Sequence, residues 1–413
     1  MKLAVVGSGI SGLVCAHLLH RHHDVTVFEA EPRLGGHSHT VDVEHEGETV
    51  AVDTGFIVFN DRNYPNFTKL LQRLDVPSHE TSMSFSVRCD SSDLEYGGTS
   101  LNGLFAQRRN AIRPAFLGMI RDIRRFGREA PRALEAGFAD ATLGEYLERT
   151  GYGQSFVDHY LVPMGAAIWS SSTATVRRFP LRFFVRFFDN HGMLDLRQRP
   201  QWRTIIGGSR RYVTALVAPF RERIRLSTPV TGVARHPSGV DVTTAADTTT
   251  FDQVILACHS DQALRLLAPP TDAERELLGA IPYQTNDTVL HADPTVLPRR
   301  RRAWSAWNYR TDEASGRAAV VTYNMSILQH LPTQVPLCVS LNQTASVDPS
   351  RILRRLTYDH PVYSPEGVAA QQRHGEVSGA DRVHFCGAYW GYGFHEDGVR
   401  SALAVCERFG TAL

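Results

Sequence analysis

Three glycines at positions 7, 9 and 12, followed by Glu29, carry the clearest chemistry in this 413-residue chain. G-x-G-x-x-G is a pyrophosphate cradle when it joins a strand to a helix. Gly7 permits the tight turn, Gly9 lets the backbone approach the phosphates at the helix N-terminus, and Gly12 lets helix and strand pack closely. Ser8, Ile10 and Ser11 complete that turn. Glu29, with Ala30 beside it, lies where a carboxylate accepts from ribose hydroxyls and repels a 2′-phosphate, which favours adenosine of the FAD or NAD kind over NADP.

The flanking elements supply the required context. Leu3 to Val6 reads as a strand running into the glycines. Ile10, Leu13, Val14, Leu18 and Leu19 continue as a helix, and Asp24 to Phe28 is a second strand. Asp53 to Phe59 reads as a strand with Gly55 near its start. The pattern turns helical from about Asn63, and residues 66–199 read as a mostly helical insertion. Thr142 and Glu145 have capping-box spacing before Tyr146 and Leu147. Trp202 to Ser209 is strand, glycine pair, then helix start. Arg223 to Leu226, Val230 to Val233, Val240 to Thr244 and Val254 to Ala257 follow as short strands. Val383 to Ala388 is a strand that meets Gly387, and the last helix follows Gly393.

After the first motif comes Arg33-Leu34-Gly35-Gly36-His37, an R-x-G-G-[RH] turn behind an acidic residue. The tandem resembles the two-dinucleotide-binding-fold flavoproteins that include amine oxidases, protoporphyrinogen oxidase and carotenoid desaturases. The resemblance implies FAD, with Arg33, Gly35, Gly36 and His37 closing over its pyrophosphate and ribitol. It also implies that Gly55, Phe56 and Ile57 run past the flavin ring, that the backbone at Val230 pairs with adenine, and that Gly387 and the last helix complete the flavin site. That helix, expected to start near Asp397 and carrying His395, Glu396, Asp397, Gly398 and Val399, would aim its positive end at the flavin N1–C2=O edge. The G-F-H-E-D-G wording is similar to a bacterial branch that includes desaturases of methylated fatty acyl chains in furan fatty acid formation.

The expected fold is α/β: a discontinuous Rossmann-like FAD-binding domain (1–65, 200–270 and 373–413) with an inserted α+β substrate domain (66–199 and 271–372). A net charge of +1 and 42% apolar residues exclude a nucleic-acid binder or a disordered chain. No apolar run approaches ~20 residues and the N-terminus is already strand, so the expectation is a cytoplasmic protein, with a peripheral contact to the inner membrane face left open. Six scattered cysteines read as buried thiols. His17 and His20 share a helix face without an acidic or cysteine partner, so no metal site is expected.

Two stretches mix arginine with large apolar residues. Arg108 to Arg132 is read equally as a lipid-surface helix or as a helix with its apolar face packed and its arginines wet. Arg177 to Phe188, rich in phenylalanine, is expected to line an apolar substrate channel. Arg299 to Arg302 reads as a solvated loop that could also meet phosphate head groups.

Candidate chemical residues are His395, beside the flavin-facing helix, Tyr323, on a strand facing a cavity, and Trp169, as one wall. Related amine oxidases place a lysine near flavin N5, whereas here only Lys2 and Lys69 occur, neither at the matching late position. The expectation is therefore a desaturase or dehydrogenase acting on methylated fatty acyl chains. Amine oxidation, redox-neutral double-bond isomerisation and non-catalytic flavin or lipid binding remain as alternatives.

Overall fold

The computed structural model describes residues 1–194, 200–311 and 320–413. The end of the first insertion, residues 195–199, therefore lies outside the described residues.

The apolar run at the N-terminus becomes β1 (Lys2–Val6), buried because it is a central strand. It pairs in parallel with β2 (Asp24–Phe28) on one side and with β4 (Gln253–Leu256) on the other. With β3 (Ile224–Arg225) and β5 (Val383–Phe385) at the edges, five strands form a parallel sheet of order β3-β2-β1-β4-β5. Parallel strands need crossover elements, and their carboxyl ends face one crevice. One face is covered by α1 (Ile10–Leu19), α3 (Arg210–Val217) and α4 (His395–Glu407), which share a core with Val5, Val27 and Ile255. The other face carries an antiparallel meander, Val230–His236, Gly239–Thr244 and Thr248–Phe251, packed through Val233, Val240 and Val242 onto Val254 and Leu256.

Two features depart from the sequence reading. Helix α2 (Pro65–Arg73) buries Phe67, Leu70 and Leu71 in the same core as β1 and α1, so the cofactor-side packing continues beyond residue 65. The first insertion also contains strands as well as helices: Ser78–Thr81, which pairs with Trp202–Ile205, and then Phe85–Cys89 and Leu94–Gly97. The last two extend the second insertion's sheet into seven strands, with Phe85–Cys89 parallel to Trp307–Thr311. Residues 66–199 and 271–372 thus meet in one sheet.

The long helices of the insertion pack beside that sheet. Leu143–Thr150 begins with the reciprocal Thr142–Glu145 capping box. Leu181–Asn190 buries Phe183, Phe184, Phe187 and Phe188, the first three with their rings against Trp169.

The two ends of the chain are joined by a buried carboxylate. Glu396, in the first turn of α4, accepts from the backbone N–H groups of Asn66 (3.2 Å) and Phe67 (3.0 Å) and from Asn66 Nδ2 (2.6 Å). It therefore satisfies donors that α2 would otherwise leave orphaned. Replacing Glu396 with alanine is expected to cost about 1–3 kcal/mol, read as a lowered thermal midpoint. An unchanged midpoint would contradict this linking role.

Candidate functional site: a dinucleotide cradle leading to an aromatic chamber

The carboxyl ends of the parallel strands open onto a cavity of about 680 Å³. Its wall includes Glu29, Gly9 and Gly36 from the glycine turns and Trp169, Phe187, Trp307 and Tyr323 from the inserted half.

The glycine turns interlock through their backbones. A Cβ at Gly12 would lie 2.0 Å from the Gly7 carbonyl oxygen, so only glycine lets α1 start this close to β1. Gly35 N–H donates to Ser8 O (3.0 Å), and a Cβ on Gly36 would come within 3.1 Å of Gly9 Cα. Gly9 differs: a Cβ there meets no protein atom within 4 Å, and the residue lines the cavity. The protein alone gives no steric reason for glycine at position 9, but a group lying against the helix N-terminus would.

Glu29 and Arg33 are positioned by the same turns. Glu29 accepts from Ser8 N–H (2.9 Å), Ser8 Oγ (2.5 Å) and Glu31 N–H (2.9 Å), which orients its carboxylate on the cavity wall. Arg33 donates from Nη1 to Gly36 O (2.8 Å) and bridges its own loop. Ile10, Ser11, Gly35, His37, Phe56, Ile57 and Gly387 also lie on the wall. Ser8, Ala30 and Val230 do not, nor do Gly7 and Gly12, which serve the turn from behind.

At the other end, several residues have roles that differ from those expected. Gly55 lines the cavity, and a Cβ there would sit 2.2 Å from His37 O, so the neighbouring backbone already requires its glycine. Residues 54–58 also lie between strands (Glu48–Asp53 and Phe59–Asn60) and not within one. Helix α4 starts at His395, two residues before the expected point. Glu396 and Asp397 are turned away from the cavity: Glu396 caps α2, and Asp397 accepts from Tyr392 and Phe394 N–H (both 3.1 Å). Gly398 packs against Ile10 and Ser11, and Val399 is in the core. Any contribution of these four to a cofactor is thus through the placement of the helix.

His395 does reach the wall, but it is clamped. Its ring stacks on Phe56 (3.6 Å between centroids, 12° between planes). Its Nε2 hydrogen-bonds Ser38 Oγ (2.9 Å) and Tyr212 OH (3.1 Å), which also bond each other. Burial pushes it down to about 3, so the ring is neutral near pH 7. Expected as a candidate chemical residue, it stands on the cavity wall with a positioning role, its Nε2 committed to two hydroxyls. Tyr323 lines the cavity edge-on to Trp307 (5.0 Å), its phenol pushed well up by burial. Trp169 is buried among Phe179, Phe183, Phe184 and Phe187, and its Nε1–H donates to Tyr392 O (3.3 Å). Of the phenylalanines expected to line a channel, only Phe187 reaches the cavity; the others brace it from the core.

A group of imidazoles was not foreseen from the sequence. His37, His259 and His360 line the cavity, with the His37 ring 5.3 Å from His360 and 6.0 Å from His259. Tyr358 packs on His37, and Tyr283 stacks on His259. The His37 Nε2 is buried without a protein partner and leaves a hydrogen-bonding position for a ligand. Burial and the neighbouring rings hold His37 well below its ordinary value and His360 at about 4.

These features suit FAD: an open face at Gly9, a carboxylate oriented by Ser8, an unpartnered imidazole at the second glycine turn, and a chamber large enough for a ring system beyond it. The comparisons agree. The flavin containing amine oxidoreductase family model matches residues 10–409, and the chain belongs to that family, with FAD as its cofactor. Carotenoid phi-ring synthase of Streptomyces griseus is 29% identical over 321 residues, 72% of this chain and 59% of that protein, so the chain spans somewhat over half of that relative. Cyclohexylamine oxidase from Brevibacterium oxydans shares the fold at a TM-score of 0.70, 16% identity and 99% coverage of both chains. A fatty acid isomerase from P. acnes that produces CLA shares it at 0.69, 14% identity and 98% of both chains.

Two tests follow from the site. Gly9→Ala is expected to leave the apoprotein's thermal midpoint unchanged while weakening FAD at least tenfold in a fluorescence titration. Gly12→Ala is expected to lower the midpoint itself. A Gly9→Ala protein that binds FAD normally would remove the cofactor explanation of that glycine. The second concerns pH. His360 and His395 titrate near 4 and 3 in the folded chain against 6.5 when free, so the unfolded chain binds more protons between these values. Their contribution is intact above about pH 6.5 and is lost as pH falls towards 4. Asp53 and Asp397, raised to about 6 by burial, act in the opposite sense between 6 and 4. His191, His291 and His384, each lowered to about 4, add to the destabilising side. The apoprotein should therefore have a lower thermal midpoint at pH 5 than at pH 7, and a higher one would contradict the balance.

Proposed function

We propose that the protein is an FAD-dependent oxidoreductase that dehydrogenates a lipid acyl chain, as a desaturase of methylated fatty acyl groups. The supporting observation is the composition of the chamber. Met83, Ile168, Trp169, Phe187, Met193, Trp202 and Leu356 contribute to the cavity wall, and no lysine lines it among the described residues. Lys69 donates to Leu413 O (2.7 Å), and Lys2 lies over the Phe251 ring, both outside the cavity wall.

An ammonium substrate in such surroundings would need a carboxylate partner to offset its desolvation. Of the wall's carboxylates, Glu29 and Glu31 belong to the adenosine-side turn, and Asp359 already accepts from Thr285 Oγ1 (2.6 Å). An acyl chain needs no such partner. Two relatives carry names that refer to carotenoid and fatty acid chemistry, which fits a long apolar substrate.

Bound FAD supplies a two-electron acceptor for the hydride. The protein's own contribution is a rigid wall, with Trp169 fixed by four phenylalanines and a backbone hydrogen bond, so an acyl chain is oriented and water excluded. Proton handling is less developed. His395 is neutral, with its Nε2 committed to Ser38 and Tyr212, and Tyr323 is held protonated by burial. This observation favours a second reading, redox-neutral double-bond isomerisation, which needs no net proton loss.

Anaerobic addition of methylated acyl phospholipids or acyl thioesters is expected to bleach the flavin and yield one new double bond per flavin reduced. Isomerisation would instead change the product without net bleaching. If amines bleached the flavin and no acyl lipid were altered, the proposal would fail.

A further inference from the structure

We propose that the exposed face of the helix Pro114–Ala133, together with residues 101–113 before it, docks on an anionic lipid bilayer. The proposal stands independently of the reaction proposed above.

Large apolar side chains are exposed at few places among the described residues, and three fall close together in the chain: Leu101 (76% exposed), Ile112 (82%) and Leu117 (45%). The short helix Leu101–Leu104 is held near the start of the long one, because the Phe105 and Phe116 rings meet at 6.0 Å. The helix Pro114–Ala133 buries Phe116, Met119, Phe126 and Ala130 in the inserted half's core. Its opposite face is Leu117, Arg121, Arg124, Arg128 and Arg132, all exposed at helical spacing. The row spans about 22 Å at ~1.5 Å per residue.

The arginines are also little compensated. Arg121 has one ion contact, with buried Asp122 at 3.6 Å, and no salt bridge joins Arg124, Arg128 or Arg132 to a carboxylate among the described residues. The nearby acid Glu129 is taken by Arg125, and Asp93 by Arg109. The run at 299–302 is exposed, as expected of a solvated loop, but differs in being partly paired: Arg299 pairs with Asp90 and Asp93, Arg300 with Glu95, and Arg301 lies over Trp304. A chain with net charge +1 thus concentrates a sparsely paired positive row on one helix.

Guanidinium groups bind phosphate in a planar fork. A row of them joined to exposed isoleucine and leucine suits a surface with phosphate above and hydrocarbon beneath. An RNA backbone would take the arginines but gives Ile112 and Leu101 no apolar phase. Of the two readings left open for this stretch, the packed inner face is real, and the outer face carries the lipid-surface features.

The test uses the FAD-loaded chain and co-sedimentation with vesicles at ~0.15 M salt. Phosphatidylglycerol-containing vesicles should capture the protein and pure phosphatidylcholine vesicles should not. Arg121→Gln/Arg124→Gln/Arg128→Gln should weaken capture at least tenfold, and Ile112→Ser/Leu117→Ser should weaken it several-fold. Both variants should keep the flavin spectrum and thermal midpoint, because the altered side chains are exposed. The proposal is overturned if anionic vesicles do not capture the wild-type chain, or if either variant binds them normally. It is equally overturned if single-stranded RNA binds through the same arginines and Ile112→Ser/Leu117→Ser does not affect vesicle capture.

Discussion

The cofactor half depends on backbone contacts that exclude side chains. Gly12 has no room for a Cβ because the Gly7 carbonyl oxygen would be 2.0 Å away, and Gly36 stands against Gly9 with its missing Cβ 3.1 Å from Gly9 Cα. The first contact brings α1 onto β1 and directs its N-terminus into the crevice. The second lays the Arg33–His37 turn over that N-terminus. Glu29 is then oriented by Ser8 on the cavity wall, within the first 36 residues of the chain.

The remainder of the site comes from far along the chain. Strand β5 and helix α4 join the parallel sheet some 380 residues after β1, and Ser11 Oγ donates to Gly398 O (3.0 Å) where α1 and α4 meet. Glu396 ties the same helix to α2, while His395 is fixed by Phe56, Ser38 and Tyr212. The acidic and imidazole side chains at the start of α4 thus hold the helix in place. The inserted half adds the chamber, whose Trp169 is immobilised by phenylalanines from one helix and the loop before it.

What could be read in the sequence was local. The glycine turns, the capping box at Thr142 and the parallel strands are encoded within a few residues of one another, and their chemistry follows from spacing. Phe85–Cys89 carries a local signal, since Met83 to Cys89 alternates apolar and polar residues as a half-buried strand does, but its pairing with Trp307–Thr311, over 200 residues away, has no local trace. The contact of Gly55 with the backbone of His37 has no trace in the sequence, because it exists only after the turns close. The imidazole group at His37, His259 and His360 draws on three distant segments, so no local spacing could announce it. The exposed arginine row was visible as composition, but which face it occupied depended on the packing of Phe116, Met119 and Phe126.

The central claim is that the glycine turns hold the adenosine and pyrophosphate of FAD and that this anchoring places the flavin in the apolar chamber. Titration of the apoprotein with FAD and with FMN, followed by flavin fluorescence, tests it most directly. FMN carries the same ring system but lacks adenosine and the second phosphate. The account predicts one FAD per chain, bound at least a hundredfold more tightly than FMN. Equal affinity for the two would mean that the chamber alone holds the flavin and would contradict the role assigned to Gly9, Glu29 and Gly36.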